Sequence, residues 1–113
     1  MLHELPLKQL HLGLKNKDFT SKELTEHYLD RIAKHGADLN SFISVTTEHA
    51  LEQAQAADKI IQKSEQMNML TGIPIAQKDI FCTKNIKTTC CSKILADFIP
   101  PYDATVIKKY QEN

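Results

Sequence analysis

Lys78 ends an apolar run, Gly-Ile-Pro-Ile-Ala-Gln-Lys-Asp at 72–79, and is the residue best placed to do chemistry. A lysine acts as a base or nucleophile only when neutral. Its ordinary pKa is about 10.4, so holding it neutral at pH 7 costs about 4.6 kcal/mol. Burial at the end of an apolar strand is one way to impose that. From spacing alone the more economical reading is different: the lysine marks where the strand leaves the core, and its ammonium reaches water.

The other reactive side chains are weaker candidates. Cys82, Cys90 and Cys91 are the three cysteines. There is no Cys-x-x-Cys pair and no histidine follows at finger-like distance, which opposes a metal centre. Cys90, near an expected helix start, is a candidate nucleophile by position. The favoured reading for these cysteines is small, buried or half-buried packing residues. Adjacent Cys90 and Cys91 are poor disulfide partners, so free thiols in a reducing cytoplasm are expected. The histidines at 3, 11, 27, 35 and 49 show no i, i+4 pairing, and are read as surface or packing residues. Glycines stand only at 13, 36 and 72, so no phosphate loop of the Gly-x-x-x-x-Gly-Lys type is present.

These residues must be positioned by a chain of 113 residues, enough for one ordinary domain. It is 42% hydrophobic and 25% charged, a globular composition. Formal net charge is zero, whereas an autonomous nucleic-acid binder carries a basic surplus. The N-terminal stretch is amphipathic, without the apolar core of a signal peptide. No apolar run approaches the roughly 20 residues that cross a bilayer.

Leucines at 7, 10 and 14 predict a helix over 5–16. Thr20 and Glu23 form a capping box for a second helix, with Leu24, Tyr28 and Ile32 on one face and Gly36 as its end. Residues 39–46 read as a short extended connection. Thr46 or Thr47 caps a third helix, about 48–65, striped by Ala50, Leu51, Ala54, Ala57, Ile60 and Ile61. A buried strand is expected at 73–77, a turn at Asn85, and one or two helical turns within 90–98. Consecutive prolines at 100 and 101 exclude helix there. Asp103 is the expected cap of a last helix carrying Val106, Ile107 and Tyr110. The strand at 73–77 has no partner in the sequence, and a lone strand cannot satisfy its own backbone groups. The rest of the sheet is therefore expected beyond residue 113.

The stretch 72–79 resembles the segment carrying the catalytic lysine in the amidase-signature family. Two further stretches are similar, more narrowly, to the A subunits of glutamine-dependent tRNA amidotransferases. Thr88, Thr89, Cys90, Ser92, Lys93 and Leu95 match one motif, and Pro101 to Val106 match the other. The resemblance covers essentially all 113 residues.

That resemblance implies an α/β fold, a mixed sheet covered by helices. Residues 1–66 would be outer helices of a single domain, and 67–113 the start of its core with the first core strand. It implies a Ser–cis-Ser–Lys triad in which Lys78 is the terminal base. Both serines belong to a glycine- and serine-rich signature downstream. No such string occurs in this sequence, and Ser92 is not a substitute for either serine. Asn85 stands where the family often has glycine, and asparagine also tolerates a left-handed turn. The implied activity is glutamine hydrolysis. The ammonia would convert Glu-tRNA(Gln) to Gln-tRNA(Gln), with ATP and Mg used at a partner B subunit, in a cytoplasmic complex with B and C subunits. No cofactor or metal is expected on this chain, and the 113 residues alone are expected to be inactive. Two other readings remain: a family hydrolase acting on a small amide, and a non-catalytic helical interaction module.

Overall fold

The computed structural model describes residues 1–63 and 67–113. Among the described residues four α-helices follow a short 3-10 turn at Leu2–Glu4: α1 (Leu7–Asn16), α2 (Ser21–Leu39), α3 (Thr47–Lys63) and α4 (Thr105–Gln111). The chain forms two compact units. One comprises Met1–Ser41 with Thr46–Pro74, the other Phe42–Val45 with Ile75–Asn113.

The first unit is built on apolar side chains at helical spacing. Leu10 and Leu14 of α1, Leu24 of α2 and Ile61 of α3 are buried together, with Phe19, Tyr28, Met67 and Ile73 around them. Each such side chain withdrawn from water contributes about 1.5–3 kcal/mol. Leu7 and Ile60, expected on the buried stripes, are exposed instead. The α1 stripe is narrower than its spacing suggests, and on α3 Ile61 takes the inward position.

Helix α2 starts as its sequence predicts. The Thr20 hydroxyl accepts the Glu23 N–H at 3.0 Å. The Glu23 carboxylate accepts the Thr20 N–H at 2.7 Å in return. The helix does not stop at Gly36. It continues to Leu39, and Asn40 takes the left-handed conformation at φ 48°. Its N–H reaches the Gly36 carbonyl at 2.7 Å. Asparagine can serve as the terminator because its short polar side chain tolerates that region.

Residues 40–46 form no regular element. Helix α3 then packs along α2. Its first turn hangs from Thr46, whose carbonyl accepts the Ala50 N–H at 2.9 Å. The expected last residues of this helix, 64 and 65, lie outside the described residues. Gly72 approaches α2 closely: the Ser21 hydroxyl donates to its carbonyl at 2.8 Å. It adopts φ 77°, and a Cβ there would lie 3.1 Å from both Ser21 Cβ and Ile61 Cδ1.

The expected strand at 73–77 is not formed. Residues 73–78 have no ladder partner, and the described residues contain no strand. Their only strand-like pairing is an isolated bridge between Thr83 and Ile86. The described residues are accordingly mostly helical, and the α/β sheet does not appear among them. A strand exists only with a neighbour to take its N–H and C=O groups.

In the second unit the turn at Asn85 forms, with φ 63°. The Ile86 N–H closes it onto the Thr83 carbonyl at 3.1 Å. No helix forms at 90–98. Cys90 and Cys91 both adopt positive φ, 52° and 54°, which no right-handed helix allows. The segment then proceeds through turns, with Leu95 donating to Ser92 at 3.1 Å and Phe98 to Leu95 at 3.0 Å. Ser92 therefore lies in a turn and caps no helix. Residues 99–103 are irregular, with Pro100 buried. Asp103 does not cap α4. Its carboxylate accepts the Lys84 N–H at 2.7 Å. Ala104 occupies the cap position without a side-chain bond. Ile107 is the buried residue of α4, while Tyr110 is exposed.

Candidate functional site

Lys78 lies in the second unit, at the end of the irregular stretch, with an exposed side chain. Its carbonyl accepts the Phe81 N–H at 3.2 Å, turning the chain directly after it. None of the ion pairs among the described residues includes it.

Asp79, the next residue, is the most heavily bonded group nearby. One carboxylate oxygen accepts the Thr89 N–H at 3.0 Å. The other accepts the Thr89 hydroxyl. The Asp79 carbonyl also accepts the Cys90 N–H at 2.8 Å. The Thr89 hydroxyl in turn accepts the Cys91 N–H at 3.3 Å. Thr88 braces the loop before it: its hydroxyl accepts the Thr83 N–H at 3.4 Å and donates to the Ile86 carbonyl at 3.3 Å. Thr88 and Thr89 are both buried, at 3% and 7% exposure, so these bonds are shielded from competing water.

The sequence pattern singles out Lys78 and passes over Asp79. A bond from a side chain to a residue ten positions away leaves no periodic mark. The only available signals are the charged pair at 78–79 and the adjacent threonines at 88–89.

The cysteines depart from expectation in part. Cys82 is half-buried, but Cys90 and Cys91 are exposed rather than packed, and all three are free thiols. Cys90 has no helix to start. The Cys82 thiol donates to the Tyr102 hydroxyl at 3.9 Å.

In the first unit two histidines meet that spacing does not connect. His3 Nδ1 and His27 Nε2 lie 2.9 Å apart, one donating and the other accepting. Their rings stack with centroids 5.1 Å apart. Reduced access to water, followed by the Arg31 charge, lowers the His3 pKa. His11 Nδ1 donates to the Met69 carbonyl at 3.2 Å. Among the described residues no three His, Cys, Asp or Glu side chains converge as metal ligands. None of their helices is long and apolar enough to cross a membrane.

The apolar segment that ends in Lys78 is thus braced, through Asp79, by the neighbouring threonine loop. Residues 23–113 match the Amidase family model, and the chain belongs to the amidase family. Within it, the chain is 56% identical over 108 residues to the A subunit of a glutamyl-tRNA(Gln) amidotransferase from Coxiella burnetii (strain Dugway 5J108-111). It is 53% identical over 108 residues to the protein of that name from Nitrosococcus oceani. The corresponding figure for Acinetobacter baumannii (strain ATCC 17978) is 55% over 108 residues. Each match covers 96% of this chain and 22% of the relative, so the chain spans about a fifth of their length.

Proposed function

We propose that this chain is the lysine-bearing part of a glutaminase subunit in a tRNA-dependent amidotransferase. The observation that carries the reading is the 53–56% identity over 108 residues to proteins named as the A subunit of glutamyl-tRNA(Gln) amidotransferase. Lys78 is the general base. Neutral Lys78 takes a proton from a bridging serine, which takes one from the nucleophilic serine. The nucleophile's oxygen then bonds to the glutamine amide carbon, and as the C–N bond breaks the leaving nitrogen takes the proton back from Lys78 through the bridging serine and departs as ammonia. Water cleaves the acyl-enzyme to glutamate. An aligned base is needed because a serine hydroxyl is otherwise a weak nucleophile.

Both serines belong to the remainder of the full-length protein. The fold of the whole is a mixed sheet covered by helices, in which residues 73–77 gain the strand partners they lack here. The ammonia is used at a B subunit, where ATP and Mg activate Glu-tRNA(Gln), and a C subunit completes the cytoplasmic complex. This chain itself binds neither cofactor nor metal.

The test is glutamine hydrolysis by the assembled complex whose full-length A subunit carries Lys78→Ala. A positioned acid–base group contributes about 10²–10⁴-fold. Ammonia release should fall by at least about 100-fold, with the complex still assembled. Activity within a few-fold of the unsubstituted complex would overturn the assignment. Ammonia release from the 113-residue polypeptide above a Lys78→Ala control would contradict the placement of the serines.

A further inference from the structure

We propose that Asp79 and Thr89 are positioning residues for Lys78: their paired hydrogen bonds fix the backbone from which the base projects. This deepens the functional reading above and rests on Lys78 being the general base.

The backbone at Lys78 belongs to no helix or ladder. Its orientation must come from specific bonds: its own carbonyl accepts the Phe81 N–H at 3.2 Å, and the side-chain bonds begin one residue later. Asp79 receives the Thr89 N–H at 3.0 Å, the Thr89 hydroxyl and, through its carbonyl, the Cys90 N–H at 2.8 Å. Charge-assisted bonds to a carboxylate are the strong ones. Thr89 is buried, so water does not compete for them. On its far side Thr89 also takes the Cys91 N–H at 3.3 Å.

The loop that supplies this clamp is held in an unfavourable shape. Cys90 and Cys91 are consecutive non-glycine residues at positive φ, 52° and 54°. Left-handed backbone is unfavourable for any residue that carries a Cβ. Such a conformation persists only where surrounding bonds over-determine it, and clusters where geometry serves function. Here the bonds that impose it are those that grip Asp79. Thr89 thereby acquires a role tied to the lysine eleven residues earlier. A displacement of about 1 Å at a reacting group costs on the order of 100-fold in rate, so loss of the clamp should act on turnover.

The test uses the full-length protein in its assembled complex, with glutamine as substrate. Thr89→Val removes the hydroxyl, keeps the shape and leaves every charge in place. Its kcat should fall about 10–100-fold, by the misplacement argument, with KM within about twofold. Thr89→Ser, which restores the hydroxyl, should restore kcat to within about twofold of the parent. A merely structural brace would lower the amount of assembled complex and leave kcat per assembled complex unchanged, and that result would overturn the proposal. So would unchanged kcat in Thr89→Val. Should Thr89→Val fail to assemble, Asp79→Asn is read by the same kcat and KM criteria. A fully active Lys78→Ala would overturn the base assignment and this proposal together. An inactive Lys78→Ala beside an unaffected Thr89→Val would overturn the positioning role alone.

Discussion

Asp58, on α3, caps the first turn of α2 through Ser21: one carboxylate oxygen accepts the Ser21 N–H at 2.7 Å. The other oxygen accepts the Lys22 N–H at 3.1 Å. The first N–H groups of any helix have no partner within the helix. Thr20 satisfies the N–H of Glu23, and Asp58 satisfies two more from a neighbouring element. A cap is thus also the bond that registers α3 against α2. Asp58→Ala should destabilise the folded chain by about 1–3 kcal/mol, the usual cost of removing a charged hydrogen-bond partner. Denaturant unfolding measures it, and a loss below about 0.3 kcal/mol would contradict the double cap.

Gly72 meets the same region from the other side. It combines φ 77° with a Cβ position only 3.1 Å from Ser21 Cβ and Ile61 Cδ1. Alanine there would strain the backbone and push on two packed side chains. Gly72→Ala should cost about 1–3 kcal/mol, the range for a side chain forced into left-handed backbone. It should also weaken the bond from the Ser21 hydroxyl to the residue-72 carbonyl. The reading would be wrong if the variant's unfolding midpoint matched or exceeded that of the parent chain.

Much of this is legible in the residues, and the limits have physical causes. The Thr20 and Glu23 capping box, the apolar spacing of α3 and the Asn85 turn are local, and local chemistry determines them. The end of α2 is misplaced by its sequence because Gly36 fits inside a helix: a Cβ there would meet nothing closer than Ile32 Cγ2 at 3.8 Å. Asp103 looks like a cap, but Lys84 of a distant turn claims its carboxylate. The strand at 73–77 is suggested by its apolar run, yet a strand is a property of two segments, and the described residues supply no second one. Lys78 is found through its motif, whereas its link to Thr89 runs between side chains and backbone far apart in sequence. The comparisons establish the family over 23–113, but the role of Lys78 stands on the matching motif.

The capping box carries a pH signature. The Thr20 N–H, and after it the Thr20 hydroxyl, stabilise the charged Glu23 carboxylate and lower its pKa below the ordinary 4.5. The folded chain therefore binds fewer protons than the unfolded chain around and below that value. Glu23's contribution is complete above pH 4.5 and is lost as pH falls through the lower folded value. The Glu23 carboxyl resonance should titrate below 4.5 in the parent chain and move part of the way back in Thr20→Val, which keeps the N–H. An unshifted titration in the parent would remove the carboxylate's part in the box.

The His3–His27 pair gives a second titration, in a different window. The rings are joined by a 2.9 Å hydrogen bond that needs at least one unprotonated nitrogen. Restricted water and the Arg31 charge hold His3 below the ordinary 6.5, while Glu4 acts in the opposite direction. The folded pKa is lowered, so the unfolded chain binds more protons between the folded value and 6.5. Stability accordingly rises with pH through that interval. His3's contribution is complete above 6.5 and disappears as pH falls through the folded value. Protonating both rings would set two cations in contact and release the Leu2–Glu4 turn from α2, against which it packs. Ring-proton titration should place His3 below 6.5, and Arg31→Gln should raise it by removing a repulsive cation. Hydrogen exchange at Leu5, whose N–H bonds the Leu2 carbonyl at 3.2 Å, should quicken relative to the intrinsic rate as pH drops through the same interval. A His3 midpoint at or above 6.5, or protection at Leu5 that ignores the change, would show that the stacked pair does not hold the turn.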